Sequence, residues 1–523
     1  MFVVCCLLLD DMLRFLRQGP YIILSLLVFV FELFYILKSK WTNDFWEHSA
    51  AVNELSRNLF HPSNPIINEN IPHAFYSPYT FLVAVFSKIT HLNSIVSLQC
   101  FALFNLVFFL LAFYLFCKSI FKVKHQAIAT FGLLFVLFFW GLDPSMWSGF
   151  YHIMVLNYVL PYPSTFAISL SFLILSMVAA GQKQMVKPAQ TVLLIFLNAI
   201  VFITHPMTAV FLYTAIVVMT FTFNNYSVKQ CFVRSIIIVL PAILLTMLWP
   251  YYNIADLLHN SNPDFDIDSK TLYIGILQRF WPALFAIPGM VIFIKEKTIN
   301  FLSLTMILMV LICWAGWLSG IYGVSRILSD IMILAQISLG CLLVFCIRDF
   351  KLWSKIFIGL TGIAFSVSVY VNGQNLIRTW HFNGTYVEDI RRYGFIRDCI
   401  ADNDLVLSDE FSNWYIPSFG GKVIASRHPL YWVKDLEPRR NAVKVFFANE
   451  SSDSARFAII NKYKPTYILI DHSRTQLADS TITTIVNKGK EIYKSDGMEL
   501  IKVDTAVINS WLRKEINKLK PLK

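Results

Sequence analysis

The sequence predicts a polytopic α-helical membrane bundle of about eleven spanning helices, followed by an α/β domain outside the bilayer. Three observations predict it. Hydrophobic residues make up 56% of the 523-residue chain and charged residues 15%, where a soluble globular protein carries roughly 25% charged residues. Apolar runs recur at the length a bilayer demands, roughly 20 residues. Charge is unevenly spread: residues 1–375 hold 21 Lys/Arg and 15 Asp/Glu, whereas residues 376–523 hold 23 and 18. That shift divides the chain into a transmembrane module, 1–375, and a water-facing domain, 376–523. Disordered, collagenous and small disulfide-rich chains are excluded.

The apolar runs lie near 20–37, 95–117, 126–142, 161–180, 189–204, 206–223, 235–252, 278–294, 299–318, 329–347 and 356–373. His205-Pro206 splits one long run in two, because the residue before proline resists the helix and proline suits a helix start. Residues 1–9 are apolar but short and precede Asp10 and Asp11, so no cleaved signal peptide is expected. Residues 79–91, with Lys88 inside, are too short to span and read as an interfacial helix. One alternate set of connections then holds 14 Lys/Arg and the other seven. The positive-inside rule places the N-terminus in the cytoplasm, and an odd number of spans places the C-terminal domain outside.

The net charge of +11 does not call for nucleic acid, because about half the excess sits in the membrane module. There it fits orientation and attraction to anionic lipid, so the bilayer is the expected partner. Of nine cysteines only Cys399 falls in 376–523, and no CxxC or Cys/His zinc spacing occurs. The C-terminal domain reads as strands at 404–409, 422–426 and 466–471. A helix at 452–463 precedes the third strand, and a second helix and a hairpin around Asp496-Gly497 follow it. The tail 511–523 is basic and amphipathic and is expected on the membrane surface.

Three outer segments concentrate chemistry: 39–78, 142–163 and 253–272. In 44–60, Phe45, His48, Val52, Leu55 and Leu59 share a helical face, with Asp44 at its edge. Asp44, Glu47 and His48 have the spacing that puts a carboxylate, a second carboxylate and an imidazole together, as a general base requires. The same Asp44/Glu47 spacing also fits a capping box opening a helix after Asn43. Asp143 ends an apolar run; it is a candidate site residue or a simple helix stop before Pro144. Asp264, Asp266 and Asp268 offer oxygen ligands to a divalent cation, or form a solvated acidic loop without EF-hand spacing. Arg326 and Arg279, both outer-side, are candidates for holding a phosphate, or for ion pairing and snorkelling. His73, Tyr76 and Tyr79 in PHAFYSPYTF, with His152 and His205, are candidates for contacting a donor or acceptor, or members of an aromatic belt.

This layout resembles the GT-C glycosyltransferases. A cytoplasmic N-terminus and one span lead to a long outer loop with an early acidic residue. PHAFYSPYTF then enters an interfacial helix, and about ten more spans and a terminal outer domain follow. Bacterial relatives of the protein mannosyltransferases and of the aminoarabinose transferases are the comparison. VLSDEFSNWYIPSFGGKVIAS and KYKPTYILID are similar to terminal domains of such enzymes. The resemblance implies transfer of a sugar from a polyprenyl phosphate to an acceptor hydroxyl, with inversion. Asp44 stands at the position of the catalytic base, Asp143 at an acidic position of the second outer loop, and Arg326 near a phosphate-contacting arginine. No cofactor is implied beyond an optional divalent cation. The partners would be a polyprenyl-phosphate sugar and a glycan, lipid or protein acceptor, at a bacterial inner membrane. Three other classes compete: an O-antigen-type ligase or polymerase using a diphosphate-linked oligosaccharide, a lipid or sugar transporter, and a non-catalytic homologue. The large loop of the first class lies late among the spans, and transporters tend to show matched halves; neither feature occurs here.

Overall fold

The computed structural model describes residues 19–38, 41, 44–121, 124–181, 188–223, 227–259, 263–292, 294–349, 351–382, 386–427, 430–475, 477–504, 506 and 510. The basic tail 511–523 lies outside the described residues. The chain divides into two compact units: one of residues 1–40 and 99–383, the other of 41–98 and 384–523.

Among the described residues, eight helices are long and apolar enough to cross a membrane. They are Gly19–Leu37, Ser94–Ile120, Pro163–Gly181, Pro206–Phe223, Val228–Thr246, Lys297–Ser319, Tyr322–Asp349 and Leu352–Ile377. A pair bent by 72°, Asp268–Ile274 with Ile276–Val291, raises the number to nine if it is one span. The apolar helices His125–Phe138 and Pro188–Thr204 are shorter. Every apolar run thus has a helix, with two departures. The run at 235–252 is a helix that begins at Val228, because Ser227 and Gln230 form a capping box ahead of it. The run at 278–294 lies in the helical stretch Ile276–Val291, which is bent away from Asp268–Ile274 at Gly275; there the Arg279 guanidinium lies so close that a Cβ would meet its Nη1 at 2.7 Å.

The first span shows which way this unit faces. Ser25, Val28, Glu32 and Tyr35 recur along its buried face, while Ile23, Leu26, Leu27, Val30, Phe34 and Leu37 are exposed. Polar atoms turn inward and hydrocarbon outward, the inverse of a soluble helix and the arrangement a bilayer selects.

His125–Phe138 has 14 residues, about 21 Å at 1.5 Å per residue, short of a ~30 Å hydrocarbon core. Its end is completed by other helices. Gln336 Nε2 donates to the Phe139 carbonyl at 2.8 Å, and Ser368 Oγ lies 2.9 Å and 2.7 Å from the carbonyls of Phe138 and Trp140. Backbone groups freed in an apolar setting need such partners. The same helix crosses Leu328–Asp349 closely: a Cβ on Gly340 would meet the Gly132 amide nitrogen at 2.9 Å. Small residues permit that approach.

Among the described residues of the other unit, five strands form one sheet in the order β2-β1-β3-β5-β4. β1 (Leu405–Leu407) lies parallel to both β2 (Lys422–Val423) and β3 (Tyr467–Asp471). β5 (Met498–Val503) is antiparallel to β3 and to β4 (Gly489–Ser495). All five residues of β3 are buried, as its uninterrupted apolar run requires. Phe446, Phe457, Ile460 and Ile485 pack into the same core as Ile468 and Ile470. The β4–β5 turn places Asp496 and Gly497 at φ 52° and 72°, the left-handed pair a two-residue hairpin demands.

Residues 41–98 belong to this unit. Helix Phe45–Arg57 packs on helix Ser412–Phe419, and the Val423 amide donates to the Ile66 carbonyl at 2.8 Å, adding the loop to the sheet at β2. Arg439 pairs with Glu69. Helix Pro78–Thr90, the interfacial segment of the sequence reading, starts with Ser77 accepting the Thr80 amide and Pro78 in the first turn.

Candidate functional site

Asp44 precedes helix Phe45–Arg57 with φ −57° and ψ −17° and makes no side-chain capping bond. The capping-box reading of Asp44 and Glu47 therefore does not hold. An N-cap side chain folds back on its helix from extended backbone, whereas Asp44 is already helical. Glu47 and His48 follow on the same face and are 3% and 6% exposed. The His48 ring stacks on Phe75, centroids 4.4 Å apart and planes at 18°. Phe75 also meets His73 edge-on at 5.3 Å, and its amide donates to His73 Nδ1 at 3.2 Å. His73 lies 5.8 Å from Tyr76, whose hydroxyl donates to the Ser63 carbonyl. Tyr79 is buried in the first turn of helix Pro78–Thr90. The structure thus links His48 to His73 through Phe75, and His73 to Tyr76, in the unit that also holds Asp44, Glu47 and Tyr79. Asp44 is half-buried, and it stands three and four positions before the buried Glu47 and His48, the spacing of one helical face.

The transmembrane unit groups its own candidates. Arg279 and Asp143 form an ion pair at 3.7 Å, and Arg279 Nη1 donates to the Thr271 carbonyl at 2.6 Å. The Gly141 and Leu142 amides donate to the carbonyls of Arg279 and Gln278. A Cβ on Gly141 would sit 2.0 Å from the Gln278 oxygen, so only glycine permits this approach. His152 is buried against Trp140 and its Nε2 donates to the Ser145 carbonyl at 2.9 Å. Burial pushes its imidazole down to about 4, so it is neutral at pH 7. His205 stands between two helices, and its Nδ1 accepts the Thr208 amide at 3.3 Å, as an N-cap does. Burial and then the charge of Arg326 push it down to about 3. Arg326, in the 3-10 turn Tyr322–Ile327, lies 5.2 Å from the Trp147 ring centroid. The grouping of Arg326, Trp147 and a neutral His205 joins a fixed positive charge to an aromatic face, which suits an anion with an apolar neighbour.

The segment 253–272, expected as a loop, is mostly helical, Ile254–His259 and Pro263–Ile274. Asp268 is exposed there, and the side chains of Asp264 and Asp266 lie outside the described residues. Among the described residues no three His, Cys, Asp or Glu side chains could together hold a metal ion.

Sequence reasoning did not single out Phe75, Trp147, Glu32, Glu54 or Lys422. Phe75 sat inside a quoted aromatic run, and Trp147 in an aromatic-rich loop. Glu32 had a signal, a lone carboxyl in an apolar run; it is fully buried in the first span, and among the described residues neither oxygen has a hydrogen-bond partner. Glu54 and Lys422 pair across 368 positions, which no local pattern reveals.

No protein-family profile matches the chain, and no curated protein matches its sequence. Solved structures do match in fold. The archaeal oligosaccharyltransferase AglB from Archaeoglobus fulgidus, in complex with an inhibitory peptide and a dolichol-phosphate, is 11% identical. The match covers 86% of this chain and 69% of that one, with a TM-score of 0.52. A structure of the Archaeoglobus fulgidus oligosaccharyltransferase with zinc and sulfate is 12% identical over 91% of this chain and 73% of that one, with a TM-score of 0.47. Eight apolar membrane-length helices among the described residues, a small C-terminal sheet domain and the first of these likenesses together give the chain the overall fold of that archaeal oligosaccharyltransferase.

Proposed function

We propose that the protein is a membrane glycosyltransferase that moves a sugar from a polyprenyl-phosphate donor to an acceptor hydroxyl on the outer face of the membrane. One observation carries the reading: a chain with the fold of an oligosaccharyltransferase places a carboxylate uninvolved in capping, Asp44, just after its first span. The acceptor hydroxyl oxygen attacks the anomeric carbon while the bond from that carbon to the phosphate oxygen breaks. The hydroxyl proton passes to Asp44, and polyprenyl phosphate leaves with the bonding electrons. Direct displacement inverts the anomeric carbon. Glu47 and His48 set the electrostatic surroundings of the base. Arg326, beside Trp147 and the neutral His205, offsets charge on the departing phosphate. Arg279 is the second cation for that phosphate; its pairing with Asp143 gives it the weaker claim. His73, Tyr76, Tyr79, Asp143 and His152 contact or orient donor and acceptor. A divalent cation would add charge neutralisation if bound.

The AglB structure holds a peptide and a dolichol-phosphate. That supports a lipid phosphate as the leaving group here, and ranks a peptide hydroxyl beside glycan and lipid hydroxyls as acceptor. The site is assigned to the bacterial inner membrane, with hexosyl and pentosyl donors both to be tried. The test supplies purified protein with labelled polyprenyl-phosphate hexoses and pentoses plus each acceptor class. NMR then reads the anomeric configuration of the product. The reading predicts transfer with inversion. Retention, or transfer only from a diphosphate-linked oligosaccharide, would overturn it; lipid counterflow in proteoliposomes without transfer would point to a transporter.

A further inference from the structure

The helix that carries Asp44 has a second set of fixings at its far end. Glu54 lies ten positions on, about 15 Å along the axis at 1.5 Å per residue. Its Oε1 accepts from the Ser63 amide at 3.0 Å and the Ser63 hydroxyl at 2.7 Å. Its Oε2 accepts from Lys422 Nζ at 2.7 Å. Lys422, the first residue of β2, is 1% exposed and donates also to the Asn64 carbonyl at 2.6 Å. Two charges withdrawn from water depend on each other, and removing either leaves the other without its close partner; among the described residues, Arg57, 4.0 Å from Glu54 Oε2, would be the one cation left beside the carboxylate.

Further contacts run along the same helix. Ser418 Oγ donates to the Trp46 carbonyl at 2.7 Å. The Trp46 ring packs between Tyr415 at 4.8 Å and Phe419 at 6.1 Å. Asn53 Nδ2 donates to the Pro417 carbonyl at 3.3 Å, and Arg57 pairs with Asp402 at 2.9 Å. Trp46 is two residues from Asp44. Both ends of the helix are therefore gripped by residues 402–422, all in the same compact unit.

Buried ion pairs contribute little net stability compared with apolar packing, and their best-attested use is to fix register. We infer that the Glu54–Lys422 pair, together with Ser418 on Trp46, is a lock by which the C-terminal domain sets the position of the helix bearing Asp44. Lys422 and Ser418 are then positioning residues for the transfer step. This inference rests on the proposed role of Asp44 as base. A domain that served only to bind the acceptor would have no need to hold this helix at both ends.

The test uses the full-length protein in detergent with Lys422→Met and the milder Ser418→Ala. Hydrogen exchange of residues 45–57 reads the lock directly. Steady-state transfer from a polyprenyl-phosphate sugar reads its consequence. The lock predicts faster exchange in Lys422→Met and Ser418→Ala. It also predicts a kcat reduced by about 10- to 100-fold in Lys422→Met, the cost of misplacing a reacting group by about 1 Å. Donor KM should stay unchanged. Unchanged exchange in both single variants would overturn the lock. Faster exchange with an intact kcat, or a loss confined to acceptor KM, would overturn the positioning role. Should Lys422→Met not fold, Ser418→Ala decides both points. A wild-type protein inert toward every lipid-linked sugar would refute the reading of Asp44, while the exchange arm would still decide whether the lock exists.

Discussion

Among the carboxyls of helix Phe45–Arg57, Glu54 has the most fully described surroundings. Burial alone would raise its pKa. The Lys422 ammonium at 2.7 Å, with hydrogen bonds from Lys422 and Ser63, reverses that and holds it below the ordinary 4.5. As pH falls, the unfolded chain takes up its proton first, so the folded state loses the advantage of the pair. The expected stability contribution is full above pH 4.5 and disappears as pH falls through the lower folded value. Thermal unfolding of wild type against Glu54→Gln checks this: the gap in Tm should be widest near neutral pH and close in acid. A gap that widens in acid would contradict the assignment. Nothing in the sequence marked Glu54, because its partner is fixed by tertiary folding. Asp44 stands out in the sequence, by contrast, through its place after the first apolar run. The sequence alone does not show whether its side chain caps the helix, since the spacing of Asp44 and Glu47 fits a capping box equally well and only the backbone angles and the missing capping bond separate the two.

At the scale of the element, the apolar runs were legible because a bilayer imposes length and composition together. Helix ends were less so. The start at Val228 depended on the Ser227–Gln230 box, which lies among polar residues that a hydropathy window discounts. The early stop of His125–Phe138 depends on Gln336 and Ser368, side chains of other helices. That dependence gives a prediction. Gln336→Leu leaves the Phe139 carbonyl buried without its donor, a loss of about 1–3 kcal/mol. Tm should fall, and Gln336→Asn, shorter by one methylene, should recover little of it. An unchanged Tm for Gln336→Leu would show that the short helix ends without this help. In the C-terminal domain, the strands and the Asp496-Gly497 hairpin were readable because turn chemistry and β-pattern are local. The buried Lys at the head of β2 was not.

At the scale of the whole molecule, the sequence divided the chain by charge density near residue 375, whereas compactness groups 41–98 with 384–523. The two descriptions answer different questions. Charge density separates what meets lipid from what meets water, and compactness separates what packs together. A loop read as part of the transmembrane module can pack on a domain more than 300 residues away, and composition does not register that. The distribution of 14 against seven Lys/Arg between the alternate sets of connections predicts an N-terminus in the cytoplasm and a C-terminal domain outside. A reporter active only outside the cytoplasm, fused after Lys523, should be active, and one placed in the 182–187 connection should be silent. The reverse pattern would invert the topology and put Asp44 on the wrong face for a lipid-linked donor.

The central claim is that Asp44 is the base in a sugar transfer from a lipid phosphate. The most direct measurement is kcat for labelled polyprenyl-phosphate sugar with wild type and Asp44→Asn, both purified and both verified as folded by their Tm. Asparagine keeps the size of the side chain and removes its capacity to take a proton. The account predicts a kcat lower by about 10²- to 10⁴-fold with little change in donor KM. Asp44→Asn protein that transfers sugar at the wild-type rate would contradict it.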